Sequence, residues 1–335
     1  MPQNLTRSPA PHLRAKDSVK NIMLDVIIAL MPAFIWGVFM SGTRALVICA
    51  VSIIGCVLFE AVSQKLMGRA VTVSDFSAVL TGLLITMNLP VTVPLWMPLA
   101  GAFFAVVIVK QIFGGIGKNI VNPALAARVL LSSWASEMTF FAAPGSPVTS
   151  LAITLDKADV TAGATPLADL AAGKLPAATI ADMLLGNIGG SIGEVSSLLL
   201  ILGGIYLIVR RVITWHIPVS YLGTVAALTY FFPHVSNAAY FMIYELTAGG
   251  LILGAVFMAT DYATSPITAK GRFVYGIGCG GLTVLFRYFG AHAEGVAYAI
   301  LIMNLLVWYI DMAFKPSAFG GVKESKKSKE DRARS

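Results

Sequence analysis

Apolar runs of membrane length, separated by short polar breaks, dominate the chain between residues 21 and 313. Bounded by Pro, Gly and charge, they predict ten helices, roughly 21–40, 43–63, 75–89, 92–113, 122–137, 194–213, 215–232, 238–259, 271–288 and 292–313. About 20 apolar residues in a helix cross about 30 Å of hydrocarbon, so the pattern predicts an all-α polytopic membrane protein with about ten transmembrane helices. Two runs are short: 75–89 ends at Asn88-Leu89-Pro90, and 122–137 begins at Asn122-Pro123. One long break, 138–193, rich in Ala, Gly, Thr and Pro, divides the runs five and five. An odd number of spans per half puts the halves in opposite orientation, the arithmetic of an inverted repeat. The expected organisation is an amino-terminal segment 1–20, a first five-helix repeat 21–137, a loop 138–193, a second repeat 194–314 and a basic tail 315–335.

Each half also carries an interrupted run, GGIGKNIVNPA at 114–124 and ATDYATSP at 259–266. Irregular backbone is tolerated at membrane depth only around a cavity or ligand. The two runs therefore predict one intramembrane site, with Asn119, Asn122, Asp261 and Thr264 as its hydrogen-bonding groups. The glycines of the first run do not make a phosphate loop, because the GxxxxGK[ST] spacing and a preceding strand are missing.

Composition agrees with the pattern. Hydrophobic residues make up 57% of the 335, charged residues only 12%, and the mean hydropathy is +0.79. A soluble domain carries about 25% charged residues, so a large soluble enzyme is excluded. The net charge of +7 lies in short loops and two tails, as the positive-inside rule expects, and needs no nucleic-acid partner. With both termini cytoplasmic, the outer segments hold only Arg44, Lys157, Lys174 and Arg287 among the basic residues, with Arg128 inside a span. The long loop then lies outside the cytoplasm. Residues 1–20 lack the apolar stretch of a cleavable signal, so the first span is expected to stay as an anchor. The tail beyond 322 is basic and almost without apolar side chains, and is expected not to fold.

Candidate chemistry is sparse. Cys49, Cys56 and Cys279 fall inside apolar runs with no Cys-x-x-Cys pair, and His12, His216, His234 and His292 are isolated. Neither iron–sulfur nor zinc ligation is expected. Ionisable groups within apolar spans are costly and thereby functional candidates; Glu60, Glu137, Glu245 and Asp311 qualify, with Arg128 as a partner. Most stand near span ends, where snorkelling suffices, and Glu245 lies deepest.

The loop contains Asp159-Val160-Thr161-Ala162-Gly163-Ala164-Thr165-Pro166. By composition alone this is a flexible turn. The run is similar to the flavinylation motif of the NqrB/RnfD family, Asp-x-x-(Ser/Thr)-Gly-Ala-(Thr/Ser), with Ala162 departing from the usual hydroxyl residue. Further stretches resemble the same family over nearly the whole chain: NIMLDVIIALMP (21–32), LTGLL (80–84), GGIGKNIVNPA, FMATDYATSPIT (257–268), EGVAYA (294–299) and MNL (303–305). Length favours the RnfD branch, since NqrB chains carry a longer amino-terminal extension.

The resemblance implies a urea-channel-like fold and FMN esterified through its phosphate to Thr165, within a motif that includes Asp159, Gly163 and Ala164. It also implies non-covalent riboflavin in the membrane part, for which the site at Asn119, Asn122, Asp261 and Thr264 is the candidate. The implied setting is a bacterial inner-membrane complex passing electrons between ferredoxin and NAD, coupled to Na⁺ or H⁺ movement. Clusters and other flavins would sit on partner subunits (RnfA, RnfB, RnfC, RnfE, RnfG), and a flavin transferase would act during maturation. No catalytic side chain is expected on this chain. A small-solute channel or carrier is the alternative that inverted repeats also allow; the motif at 159–165 separates the two.

Overall fold

The computed structural model describes residues 18–154, 160–194, 196–290 and 294–315. Asp159, the first 17 residues and the tail beyond Lys315 lie outside them. Over the described residues the chain is helical, and its only β feature is an isolated bridge between Ala142 and Ala162. Several helices are apolar enough to sit in a membrane. By length and composition α1 (Val19–Ser41), α2 (Arg44–Leu66) and α14 (Val296–Ala313) can each cross one.

Run 271–288 is a single helix, and several of the other predicted runs contain helices that are shorter or broken. Run 75–89 becomes a 3₁₀ turn (Val73–Asp75) and the 11-residue α3 (Ser77–Met87). Run 92–113 becomes α4 (Trp96–Phe103), which widens into a π-helix over Phe104–Gln111. Run 122–137 splits into α5 (Pro123–Leu131) and a four-residue α6 (Ala135–Met138). The loop adds α7 (Pro166–Ala171) and α8 (Ile180–Leu185), and α9 (Ser197–Val209) and α10 (His216–Phe231) follow. Run 238–259 is not one continuous helix. It breaks after α11 (Ala238–Thr247) and resumes as α12 (Leu251–Leu253) with a π-helix over Gly254–Met258, the two parts bent by 63°. Gly249, at φ +67°, supplies the break. α13 (Ala269–Phe289) completes the set.

α2 packs on α3 and α4, α10 on α11 and α13, α1 on α9, and α14 on α5 and α13. At Gly82 the contact is backbone to backbone: a Cβ there would lie 2.7 Å from the Ile53 Cα. Gly82→Ala is expected to force α2 and α3 apart and to cost about 1–3 kcal/mol, read as a lower unfolding temperature of the detergent-solubilised protein.

Four expectations about charge and loop need correction. Arg44, counted as an outer-loop charge, is fully buried at the start of α2. It donates to the carbonyls of Val91 (3.0 Å), Val93 (3.0 Å), Ser150 (2.9 Å) and Ala152 (2.7 Å). Arg287 is likewise interior, 2.6 Å from Glu245. Glu60 does not snorkel, for it is buried 2.8 Å from Lys110; Glu245, read as the deepest of the four, is buried as expected. Ions taken from water persist inside only when paired and hydrogen-bonded, which is why each has a partner from a distant segment. Asp311 is half-buried and accepts from the Ile267 N–H at 3.1 Å, tying α14 to the second interrupted run. Finally, the loop is folded where it is described. Leu167, Leu170, Met183 and Ile188 form a second core with Phe241, Tyr244 and Ala248, so the motif rests on a packed platform beside α11. A capping box of Thr179 and Asp182 starts α8, and its hydrogen bonds hold the Asp182 carboxyl below its ordinary range. That support is present above the ordinary carboxylate pKa and is lost as pH falls through the lowered one.

Candidate functional site: two cavities joined by one short helix

The segment before α7 is held edge to edge with residues 141–143. Ala143 N–H donates to Thr161 O (2.8 Å) and Gly163 N–H to Phe141 O (3.0 Å). A Cβ on Gly163 would lie 2.8 Å from the Ala143 Cα, so only glycine permits this approach. Ala162 and Ala164 face outward and are exposed. Thr165 is the N-cap of α7, with Pro166 in the first helical position. Its Oγ1 accepts one long bond, from Ala168 N–H at 3.3 Å.

Gly163, Ala164 and Thr165 border a cavity of about 270 Å³, whose other walls include Arg128, Glu294 and Tyr298. Arg128 comes from α5. It is ion-paired with Glu294 at the rim, lies 3.9 Å from Glu194, and donates to Asn88 O at the end of α3. The Glu194 and Arg128 side chains are 4% and 10% exposed, while that of Glu294 is 24% exposed. The sequence pattern suggests Arg128 as a partner for Glu60, Glu137, Glu245 or Asp311, but Glu60 pairs with Lys110 and Glu245 with Arg287, and the carboxylates at Arg128 are Glu194 and Glu294. These two are not visible in the pattern, because each stands at the edge of an apolar run and is indistinguishable there from a snorkelling residue.

The second cavity, of about 100 Å³, lies where the two interrupted runs meet, and Asn119, Asn122 and Asp261 line it together with Ser77, Thr81, Lys110 and Thr260. Asn122 Oδ1 caps α5 by accepting from Ala124 N–H (3.0 Å) and Leu125 N–H (3.3 Å). Its Nδ2 donates to Met258 O at 3.2 Å, joining one run to the other. The Asn119 Nδ2 donates to Val121 O at 3.1 Å, which folds the first run back on itself beside the cavity. Thr264 is buried behind the wall and donates to Asp261 Oδ2 at 3.3 Å. All four residues singled out from the sequence are thus brought together, Thr264 through Asp261. Each run is also entered from a π-helix, a form that occurs mostly at functional sites. Lys110, from the first π-helix, bonds Glu60 (2.9 Å) and Ser77 Oγ (2.7 Å) beside the cavity.

α5 connects the two sites. Asn122 at its start faces one and Arg128 the other, six residues and about 9 Å apart along the axis. The two cavities differ in what they can hold. Ligand pockets run from about 300 Å³ upward. The cavity at Thr165 approaches that size and offers a hydroxyl for attachment and a guanidinium for an anionic group, so it fits FMN. The cavity at Asn122 has the right hydrogen-bonding groups but is far too small for a whole riboflavin in this conformation.

Comparison with known proteins agrees with the motifs. Residues 6–320 match the NQR2, RnfD, RnfE family. The D subunit of the Na⁺-translocating ferredoxin:NAD⁺ oxidoreductase complex of Acetobacterium woodii is 44% identical over 330 residues, covering 97% of this chain and 98% of that one. The D subunit of the proton-translocating ferredoxin:NAD⁺ oxidoreductase complex of Clostridium ljungdahlii is 41% identical, covering 94% and 96%. The D subunit of the ion-translocating oxidoreductase complex of Stutzerimonas stutzeri is 39% identical, covering 91% and 93%. With matches of this extent along almost its entire length, the chain belongs to the NQR2, RnfD, RnfE family.

Proposed function

We propose that this chain is the D subunit of an ion-translocating ferredoxin:NAD⁺ oxidoreductase complex, and that it relays electrons through FMN esterified to Thr165. The observation that carries the reading is the Thr165 hydroxyl. It is held by a packed platform, committed to a single long hydrogen bond, and opens on a cavity walled by Arg128. Full-length similarity to three D subunits supports the complex. Both Na⁺ and H⁺ appear among those relatives, and the coupling ion here is one of the two.

A bound flavin accepts one or two electrons and so joins one-electron clusters to two-electron carriers. This chain's own residues do the rest. Gly163 lets the 161–163 segment lie against residues 141–143, Pro166 and the second core fix α7, and Thr165 sits at their junction as an attachment point. Asp159 completes the motif, and a flavin transferase of the host would make the ester. Partner subunits of the complex, RnfA, RnfB, RnfC, RnfE and RnfG, would supply clusters and further flavins. Riboflavin at Asn119, Asn122, Asp261 and Thr264 requires the walls of the smaller cavity to part.

In the same reading the fold is ten membrane segments in two inverted five-helix repeats, like urea channels. The matched order of π-helix, interrupted run and helix in each half supports this. The protein sits in the bacterial inner membrane with both termini cytoplasmic and Thr165 outside, as the Lys and Arg distribution requires. The test is the intact mass of the chain together with in-gel fluorescence after SDS denaturation. The expected result is an FMN phosphoester increment on a fluorescent band. A purified complex whose chain has only its peptide mass would overturn the flavin relay and leave the solute-channel reading standing.

A further inference from the structure

We propose that the Arg128–Glu294 ion pair sets the reduction potential of the flavin carried on Thr165, Arg128 raising it and Glu294 lowering it. The proposal rests on the FMN reading above and adds to it a role for two charged residues that line the cavity beside the attachment point. Thr165, Arg128 and Glu294 border the same space of about 270 Å³. A flavin tethered at the threonine would thus start from a space that both charges border.

The electrostatics have a definite sign. An electron delivered by the complex to a flavin held at Thr165 would add one negative charge beside the pair, to be balanced by a proton from water. The guanidinium favours that added charge and the carboxylate opposes it. Because Arg128 is almost enclosed and Glu294 only partly exposed, solvent screens these charges far less than it would at an open surface. The local balance matters too. Glu294 and Glu194 both flank Arg128, the second at 3.9 Å, so two carboxylates surround one guanidinium and hold the potential below the value Arg128 alone would give. Arg128 also reaches past the cavity to Asn88 O, which ties it to the interior side, and Glu294 is the more exposed, rim-side member. A pair that served only to hold α5 against the start of α14 would have no reason to border the attachment site.

The experiment uses the purified complex. Each variant is first checked for covalent flavin by in-gel fluorescence, then titrated spectroelectrochemically, with the Thr165→Val complex identifying which wave belongs to this flavin. Glu294→Gln keeps the shape of the rim and removes its charge. It is expected to shift the one-electron reduction equilibrium at least tenfold toward the reduced form, about +59 mV. Arg128→Gln is expected to shift it in the opposite direction, and Arg128→Lys to restore most of the change. Should Arg128→Gln fail to assemble, the sign and size for Glu294→Gln decide alone. An attached flavin whose potential is unchanged or lowered in Glu294→Gln overturns the proposal. Absence of covalent flavin in the unmodified chain overturns the FMN reading instead, and the proposal with it.

Discussion

A Thr165→Val complex is expected to assemble at the unmodified level, to lose all in-gel flavin fluorescence from this chain, and to lose electron transfer through the complex. Valine keeps the branched shape and removes the one oxygen from which a phosphoester can form. Little of the fold depends on that oxygen. It accepts a single bond of 3.3 Å from Ala168 N–H, and losing an N-cap costs about 1 kcal/mol. α7 stays in place because Pro166 opens it and Leu167 and Leu170 anchor it in the second core. Thr161 is the internal control. It is exposed, lacks the preceding Gly-Ala and does not border the cavity, so Thr161→Val should keep both fluorescence and activity. A Thr165→Val chain that still bears the FMN mass would sink the assignment.

The largest effect on stability is expected at Arg44. Four carbonyls from two segments, Val91 and Val93 on one and Ser150 and Ala152 on the other, share its guanidinium. Val91 and Val93 belong to the irregular stretch between α3 and α4, which has no helix of its own to satisfy its backbone. Arg44→Met fills similar space but leaves these acceptors without donors, and each buried unsatisfied group costs about 1–3 kcal/mol. Val91 and Val93 are buried, whereas Ser150 and Ala152 are exposed and can turn to water, so a loss of about 2 kcal/mol or more is expected from the two buried groups, seen as a lower unfolding temperature in a thermal stability assay in detergent. Arg44→Lys should fall between, since a point ammonium with three donors cannot span four carbonyls. Equal stability of the methionine variant would show that water reaches those carbonyls.

The site was legible in unequal parts. Gly163, Ala164 and Thr165 stand in one contiguous run, so a resemblance to a family motif could single them out, although composition alone reads that run as a flexible turn. Asn119, Asn122, Asp261 and Thr264 could be found because interrupted helices leave Gly, Asn and Pro in apolar runs. Glu194 and Glu294 could not, since a charge at the end of a span reads the same whether it faces water or a buried arginine. The small volume beside Asn122 was equally invisible. It depends on how closely α1, α3 and the two interrupted runs approach, and no local pattern encodes that distance.

Local chemistry along the chain determined what can be read residue by residue. Apolar runs require helices, since in hydrocarbon each backbone group must find its partner within its own segment. Asn122-Pro123 favours a helix start, whereas the break at Gly249 is not legible in the sequence, because paired glycines also stand inside α9 and α13. Tertiary structure decided everything that depends on pairing across distance. It turned Arg44 from a loop charge into a clamp on two irregular segments, and it matched Glu60 with Lys110 and Glu245 with Arg287. It also folded the supposed flexible loop onto α11 and set Arg128 between two carboxylates beside Thr165. The physical reason is common to all of these. A helix satisfies its backbone from its own sequence, but a buried charge or an irregular carbonyl must find its partner elsewhere in the chain, and only the packed fold names it.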